Sequence, residues 1–423
     1  MPFQSPGVYV LEVPSAAAPI AGVGTSTAGF VGLVTNEVVM PFKPGRPLDP
    51  NHIVPEDRYP IAPATEPQLI TNWEEFKKSF GNVQEANRVL ANAVYGFFNN
   101  GGTRCWVTRV TSLMEDTTHT PAVDPVADAL AGFEAIDEIA IVAVPTSTRI
   151  GTGEPAANLA RRVAVRELVL SHCERMEDRF AIVDGEETVD GDLTPQEIYP
   201  NAAGNARGRN SNYGAVYFPW IDIGEKNANG DIRYMPPSGH IAGIYARVDA
   251  NRGVHKAPAN EPIRGALGLK YRISRSQQDG LNPGGINAIR QFNGNITVWG
   301  ARTIGGDANI TPQDFRFVSV RRLFNFLRES IDEGTQWVVF EPNTPNLWAK
   351  ITRNVTAFLT NVWRAGALFG TTPQEAFYVK CDAETNPPEV RDAGQVVTEI
   401  GVAVVKPAEF VIFRISQWAG PGS

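Results

Sequence analysis

Between residues 125 and 183 the chain twice repeats a helical stretch followed by a short, largely apolar run: 125–136 then 139–144, and 156–177 then 179–183. Successive strands joined by a helix must lie parallel, because only a long crossover returns the chain to the same end of the sheet. Strands with no polar alternation are covered on both faces. The pattern therefore predicts an α/β fold, mixed with α+β elements, around a parallel core sheet. Helices at 71–80, with Trp73, Phe76 and Phe80 on one face, and at 86–98, and strands at 105–110 and 213–223, extend it.

At 423 residues the chain is too long for a single core, so two or more domains are expected, with the Gly-rich stretch at 305–307 as the boundary. Residues 40–67 carry eight prolines, which remove backbone donors and make an extended surface excursion. Residues 236–285 read as loop-rich. Beyond 307 the pattern predicts a helix at 320–333 stopped by Gly334, a strand at 337–340, and a helix at 345–368. In that last helix Leu347, Ile351, Val355, Phe358 and Val362 share one face. Strands follow at 377–381, 396–405 and 410–415.

The net charge of −8 argues against nucleic acid as a partner. From Ile286 onward 13 basic residues balance 13 acidic ones, which leaves 25 against 33 before it. A neutral C-terminal part suits burial in an assembly, and an acidic remainder suits a solvated surface. Cys105, Cys173 and Cys381 are too scattered for a disulfide framework or a zinc site, and the five histidines include no metal-binding pair, so no cofactor or metal is expected. No apolar run is long enough to span a bilayer, and the N-terminus lacks the blocks of a secretory signal, so synthesis and assembly in the cytoplasm are expected. No phosphate loop, nucleophile elbow or other catalytic signature is present. Asp184, Glu186 and Glu341 close apolar runs where α/β enzymes place acids, which leaves an α/β hydrolase-like enzyme as one alternative. A monomeric binding module using the Pro-rich loop is another.

Both ends read as strands that need a partner. Near the N-terminus Val8, Val10 and Glu12 point one way and Tyr9, Leu11 and Val13 the other, between Gly7 and Pro14. Near the C-terminus Phe410, Val411, Ile412, Phe413, Arg414 and Ile415 form an apolar strand. A short terminal strand exposes unpaired backbone groups and completes a sheet either in its own fold or in another chain. Lys350, Arg353 and Arg364 on the 345–368 helix read as a solvated face or as a docking face for an acidic partner.

Several signatures, in order, resemble those of contractile tail sheath proteins, including the sheaths of phage-derived injection systems. They are PGVYVLEVP at 6–14, IAGVGTSTAGFVG at 20–32, PPSGHIAGIYAR at 236–247, RGVHKAPANE at 252–261, VWGART at 298–303, VRRLF at 320–324, WVVFEP at 337–342 and KPAEFVIFRI at 406–415. The resemblance implies a non-enzymatic subunit of a six-fold helical sheath that surrounds an inner tube and contracts to drive it through an envelope. It implies terminal arms at 8–13 and 410–415 that add strands to neighbouring subunits, and a tube-facing helix bearing Lys350, Arg353 and Arg364. The implied domains are an arm at 1–22 joining an inner domain at 305–423, and an outer α/β domain at 23–304. Further implied partners are the tube, baseplate and tail terminator proteins, with no nucleic acid and no membrane insertion. The implied location is the bacterial cytoplasm during assembly, then a virion tail or released particle. A chain opening directly on the strand arm implies no handle for a disassembly ATPase.

Overall fold

The computed structural model describes residues 19–45, 54–113, 124–145, 155–306 and 313–414. The chain forms two compact units: Gly24–Phe326 with Val405–Ser423, and Met1–Val23 with Leu327–Val404. The divide falls inside a helix at 326/327 rather than at 305–307. The first turns of that helix bury Val318, Val320 and Leu323, and Arg322 there is tied to Asp249 of the larger unit.

The larger unit begins with β1 (Ala28–Leu33), β2 (Gln68–Ile70), α1 (Trp73–Phe80), α2 (Arg88–Asn100), β3 (Cys105–Val110), α3 (Pro125–Ala131), β4 (Ile141–Ala143) and α4 (Pro155–Met176). It continues with β5 (Phe180–Asp184), α5 (Pro195–Ile198), β6 (Gly214–Phe218), β7 (Ile221–Lys226), β8 (Ile232–Met235), α6 (Ser238–Arg252) and β9 (Glu261–Pro262). Then come β10 (Gly268–Leu269), α7 (Arg275–Leu281), β11 (Ile286–Phe292), β12 (Asn295–Val298) and the start of α8 (Val318–Thr335).

Nine strands form one sheet in the order β2-β3-β1-β4-β5-β6-β11-β12-β9. The six from β3 to β11 are parallel, as the helix–strand repeat requires, and the antiparallel strands lie outside them. Val107, Phe30, Ala143, Ile182 and Ala215 stand in register across five strands. They share one core with α2 and α6. The alternate residues Val31, Val142, Ala181 and Val216 share the opposite core with α3 and α4. Both faces are thus covered, which explains the unbroken apolar runs.

The structure departs from the sequence pattern in several places. Residues 236–285 are not all loop: α6 crosses one sheet face and is buried on nearly all sides, so it carries no amphipathic signal. It lies on α2 through glycines, since a Cβ on Gly239 would meet the Ala93 carbonyl oxygen at 2.3 Å and one on Gly243 the Phe97 carbonyl oxygen at 2.4 Å. Two strands separated at Pro219 replace the single one expected at 213–223.

In the smaller unit Gly334 does not stop α8. It lies within the helix where a Cβ would sit 2.7 Å from the side chain of Ile20, so the glycine serves close packing. A 3-10 turn at Gln336–Val338 and an exposed turn at Val339 and Phe340 occupy the place of the expected strand at 337–340. This unit continues through α9 (Pro345–Arg364), α10 (Pro373–Ala376), β13 (Phe377–Lys380), α11 (Pro388–Asp392) and β14 (Glu399–Val402). β13 and β14 pair antiparallel, and among the described residues each has no second ladder partner. Asn386 fixes the connection between them: its amide donates to the carbonyls of Asp382 (3.1 Å) and Val397 (3.0 Å), and its oxygen accepts from the Val397 N–H (2.7 Å).

Candidate assembly surfaces

α9 starts with Pro345 in its first turn, where the missing N–H costs nothing. Leu347, Trp348, Ile351, Val355, Phe358, Leu359 and Val362 form its buried stripe. Positions 350, 353, 357, 361 and 364 follow one another by three or four residues, so Lys350, Arg353 and Arg364 share a single strip away from that stripe. Arg353 and Arg364 are exposed and Lys350 is half-buried. α9 carries no acidic residue. Elsewhere in residues 327–404 three basic residues stand against ten acidic ones, so the strip is a local positive feature on an acidic unit. None of the three cations has an ion-pair partner among the described residues.

Residues 8–13 lie outside the described residues, as does Ile415. Phe410, Val411, Ile412, Phe413 and Arg414 are described and form no strand with the other described residues of their chain. Phe410 to Phe413 are 68–84% exposed, four consecutive apolar side chains facing solvent. The larger unit holds the segment just before them. Arg302 Nε and Nη2 donate to Glu409 Oε1 (2.8 Å) and Oε2 (2.6 Å), and Asn282 Nδ2 donates to Oε1 (2.8 Å). Arg302 is 3% exposed, and its backbone is bracketed by Asn287. The Arg302 N–H donates to Asn287 Oδ1 (2.7 Å), while Asn287 Nδ2 donates to the carbonyls of Arg302 (2.8 Å) and Val216 (3.1 Å). No spacing in the sequence links positions 302 and 409. The only hint is an acid placed directly before an apolar run.

The acids considered as catalytic are differently occupied. Asp184 ends β5 and caps α6: Ser238 N–H donates to Oδ1 (2.8 Å) and Ser238 Oγ to Oδ2 (2.6 Å). Burial pushes its carboxyl up to about 7 even though the Ser238 donors pull it down. Glu186 pairs with Arg162 (3.0 Å) and Arg166 (2.7 Å). Glu341 is exposed and ends no strand. Burial also raises the Cys105 and Cys173 thiols well above the ordinary range, so neither is a ready thiolate. Among the described residues no cluster of His, Cys, Asp or Glu could hold a metal ion, and no helix is long and apolar enough to cross a membrane.

Comparison with known proteins shows the family. The family described as phage tail sheath protein central domain matches residues 126–304, and the phage tail sheath C-terminal domain matches residues 311–417. The chain belongs to the contractile tail sheath family. The tail sheath protein of Vibrio phage KVP40 is 31% identical over 186 residues, which cover 43% of this chain and 26% of that relative. The chain thus spans about a quarter of that relative's length. The fold resembles the sheath of an extracellular contractile injection system, the PVC sheath complex in its contracted state, with a TM-score of 0.72, 27% identity and 99% of both chains covered. The helical sheath of the anti-feeding prophage in its contracted state gives a TM-score of 0.72 and 28% identity over 98% of this chain and 99% of that one. Sheath features therefore extend over both compact units.

Proposed function

We propose that this chain is a structural, non-enzymatic subunit of a contractile tail sheath, which polymerises with copies of itself around an inner tube and shortens to drive the tube through a target envelope. The observation that carries the proposal is the run Phe410 to Phe413, apolar, exposed and in no strand, in a chain whose small sheet β13–β14 has open edges among the described residues. An exposed apolar segment and an unfilled sheet edge are each satisfied by strand addition between chains. In this reading residues 8–13 and 410–415 are the arms that link subunits. The residue 327–404 unit lies toward the tube, and the residue 24–326 unit lies outward.

The strip of Lys350, Arg353 and Arg364 then faces the tube protein, and its charge favours an acidic tube surface. Baseplate and tail terminator proteins are the partners at the two ends of such a sheath. Assembly takes place in the bacterial cytoplasm, and the product is a virion tail or a released injection particle. Contraction is the relaxation of a kinetically trapped lattice. The structural duties of Asp184 and Glu186 support the non-enzymatic reading over the hydrolase alternative.

The test is deletion. Chains lacking residues 1–14, or residues 410–423, should fold with the parent's circular dichroism yet fail to form tubes in negative-stain micrographs. Normal tubes from both deletions would defeat the proposal.

A further inference from the structure

Whether an arm pairs with a neighbour depends on where it leaves its own body. The Glu409 carboxylate is gripped in two-pronged fashion by Arg302 and a third time by Asn282. Such planar, bidentate pairing fixes orientation as well as distance. The receptor is rigid, since Arg302 is buried and its backbone is tied through Asn287 of β11 to the Val216 carbonyl of β6. The other ion pair described for residues 405–414, Lys406 with Asp314 at 3.6 Å, joins two exposed side chains and holds weakly. Immediately beyond Glu409 the four exposed apolar residues begin.

From this arrangement we infer that Glu409 and Arg302, helped by Asn282, form a clasp that sets the point and direction in which the C-terminal arm leaves the subunit. Both are positioning residues for subunit linkage. The inference rests on the reading of residues 410–415 as an inter-subunit arm.

The clasp matters through tether length. With it closed, Ile412 hangs from Glu409 by three residues; with it open, the tether runs back to Val404, the last residue bridged to Leu368, and grows to eight. Effective concentration falls roughly as the −3/2 power of tether length, so opening the clasp lowers it roughly fourfold for each arm. Loss of the fixed direction adds to that.

The experiment uses the full chain with Ile412→Cys carrying a nitroxide, the native cysteines Cys105, Cys173 and Cys381 being buried. Glu409→Ala and Asn282→Ala should raise label mobility in the dilute subunit; Asn282→Ala should leave the melting temperature within about 1 °C, whereas Glu409→Ala lowers it by a few degrees because it takes the carboxylate from buried Arg302. Glu409→Ala without the label should raise the critical concentration for tube formation three- to fourfold, read by sedimentation and microscopy. Should Glu409→Ala melt well below the parent, Glu409→Gln supplies the same comparison with only the ion pair removed. Unchanged label mobility and unchanged critical concentration, in a protein whose 410–423 deletion abolishes tubes, would overturn the clasp and leave the arm standing. A deletion that assembles normally would instead overturn the arm reading and the positioning role with it, while the label still reports whether Glu409 restrains the segment.

Discussion

Replacing Gly239 of α6 by alanine sets two effects of opposite sign against each other. Alanine is the better helix former, by about 0.8–1 kcal/mol in a helix interior. The added Cβ, however, would stand 2.3 Å from the Ala93 carbonyl oxygen and 2.4 Å from the Ala93 Cα, against an ordinary contact of 3.4 Å or more. The obstacle is helix backbone and cannot turn aside, so α6 must retreat from α2 by about 1 Å over a packed interface. Overpacking of this kind costs about 1–3 kcal/mol, and a backbone obstacle puts it in the upper part of that range. The net expectation is a loss of about 1–2 kcal/mol, which for a unit of this size lowers the melting temperature by roughly 1.5–3 °C. Gly280→Ala is the control: Gly280 lies in α7, and a Cβ there would meet nothing within 4 Å. That variant should gain up to about 1 kcal/mol. Calorimetry and far-UV circular dichroism on both variants check the pair. If Gly239→Ala melts at or above the parent, the close approach of α6 and α2 is not what requires glycine.

Reversing Lys350, Arg353 and Arg364 to glutamate should leave the subunit folded, since none has an ion-pair partner among the described residues, and should weaken co-assembly with the tube protein of the same particle. Exposed pairs contribute about 0.2–1 kcal/mol each, so the triple variant should lose roughly threefold to a hundredfold in co-sedimentation at low salt and less at high salt; equal co-assembly at both salts would refute the docking face. Asp184 gives a pH dependence. Its folded value, pushed up to about 7, lies above the unfolded carboxylate value of about 3.9, so the neutral form favours the fold. That contribution is full below about pH 4 and is lost as pH rises toward 7, and Asp184→Asn should flatten this part of the stability profile in urea titrations at pH 4.5, 6 and 7.5. Parallel profiles would contradict it.

The α/β class, the parallel core and most of its strands were legible in the sequence, because burial on both faces leaves unbroken apolar runs and crossover helices leave their period. α9 was legible for the same reason: its buried stripe and its basic strip both follow helical spacing within one element. α6 was not, because a helix buried nearly all round has no polar face to reveal its period, and its glycines look like loop punctuation until α2 is seen against them. The strand expected at 337–340 failed because an apolar run becomes a strand only where a partner strand lies beside it. By itself the sequence determined which segments are apolar, how they repeat and where the charge lies. The tertiary structure decided the long-range pairings: Asp184 with Ser238, which gives a strand-end acid a capping role, and Glu409 with Arg302, 107 residues apart. Such contacts form between side chains that the folded backbone brings together, and no local pattern encodes them.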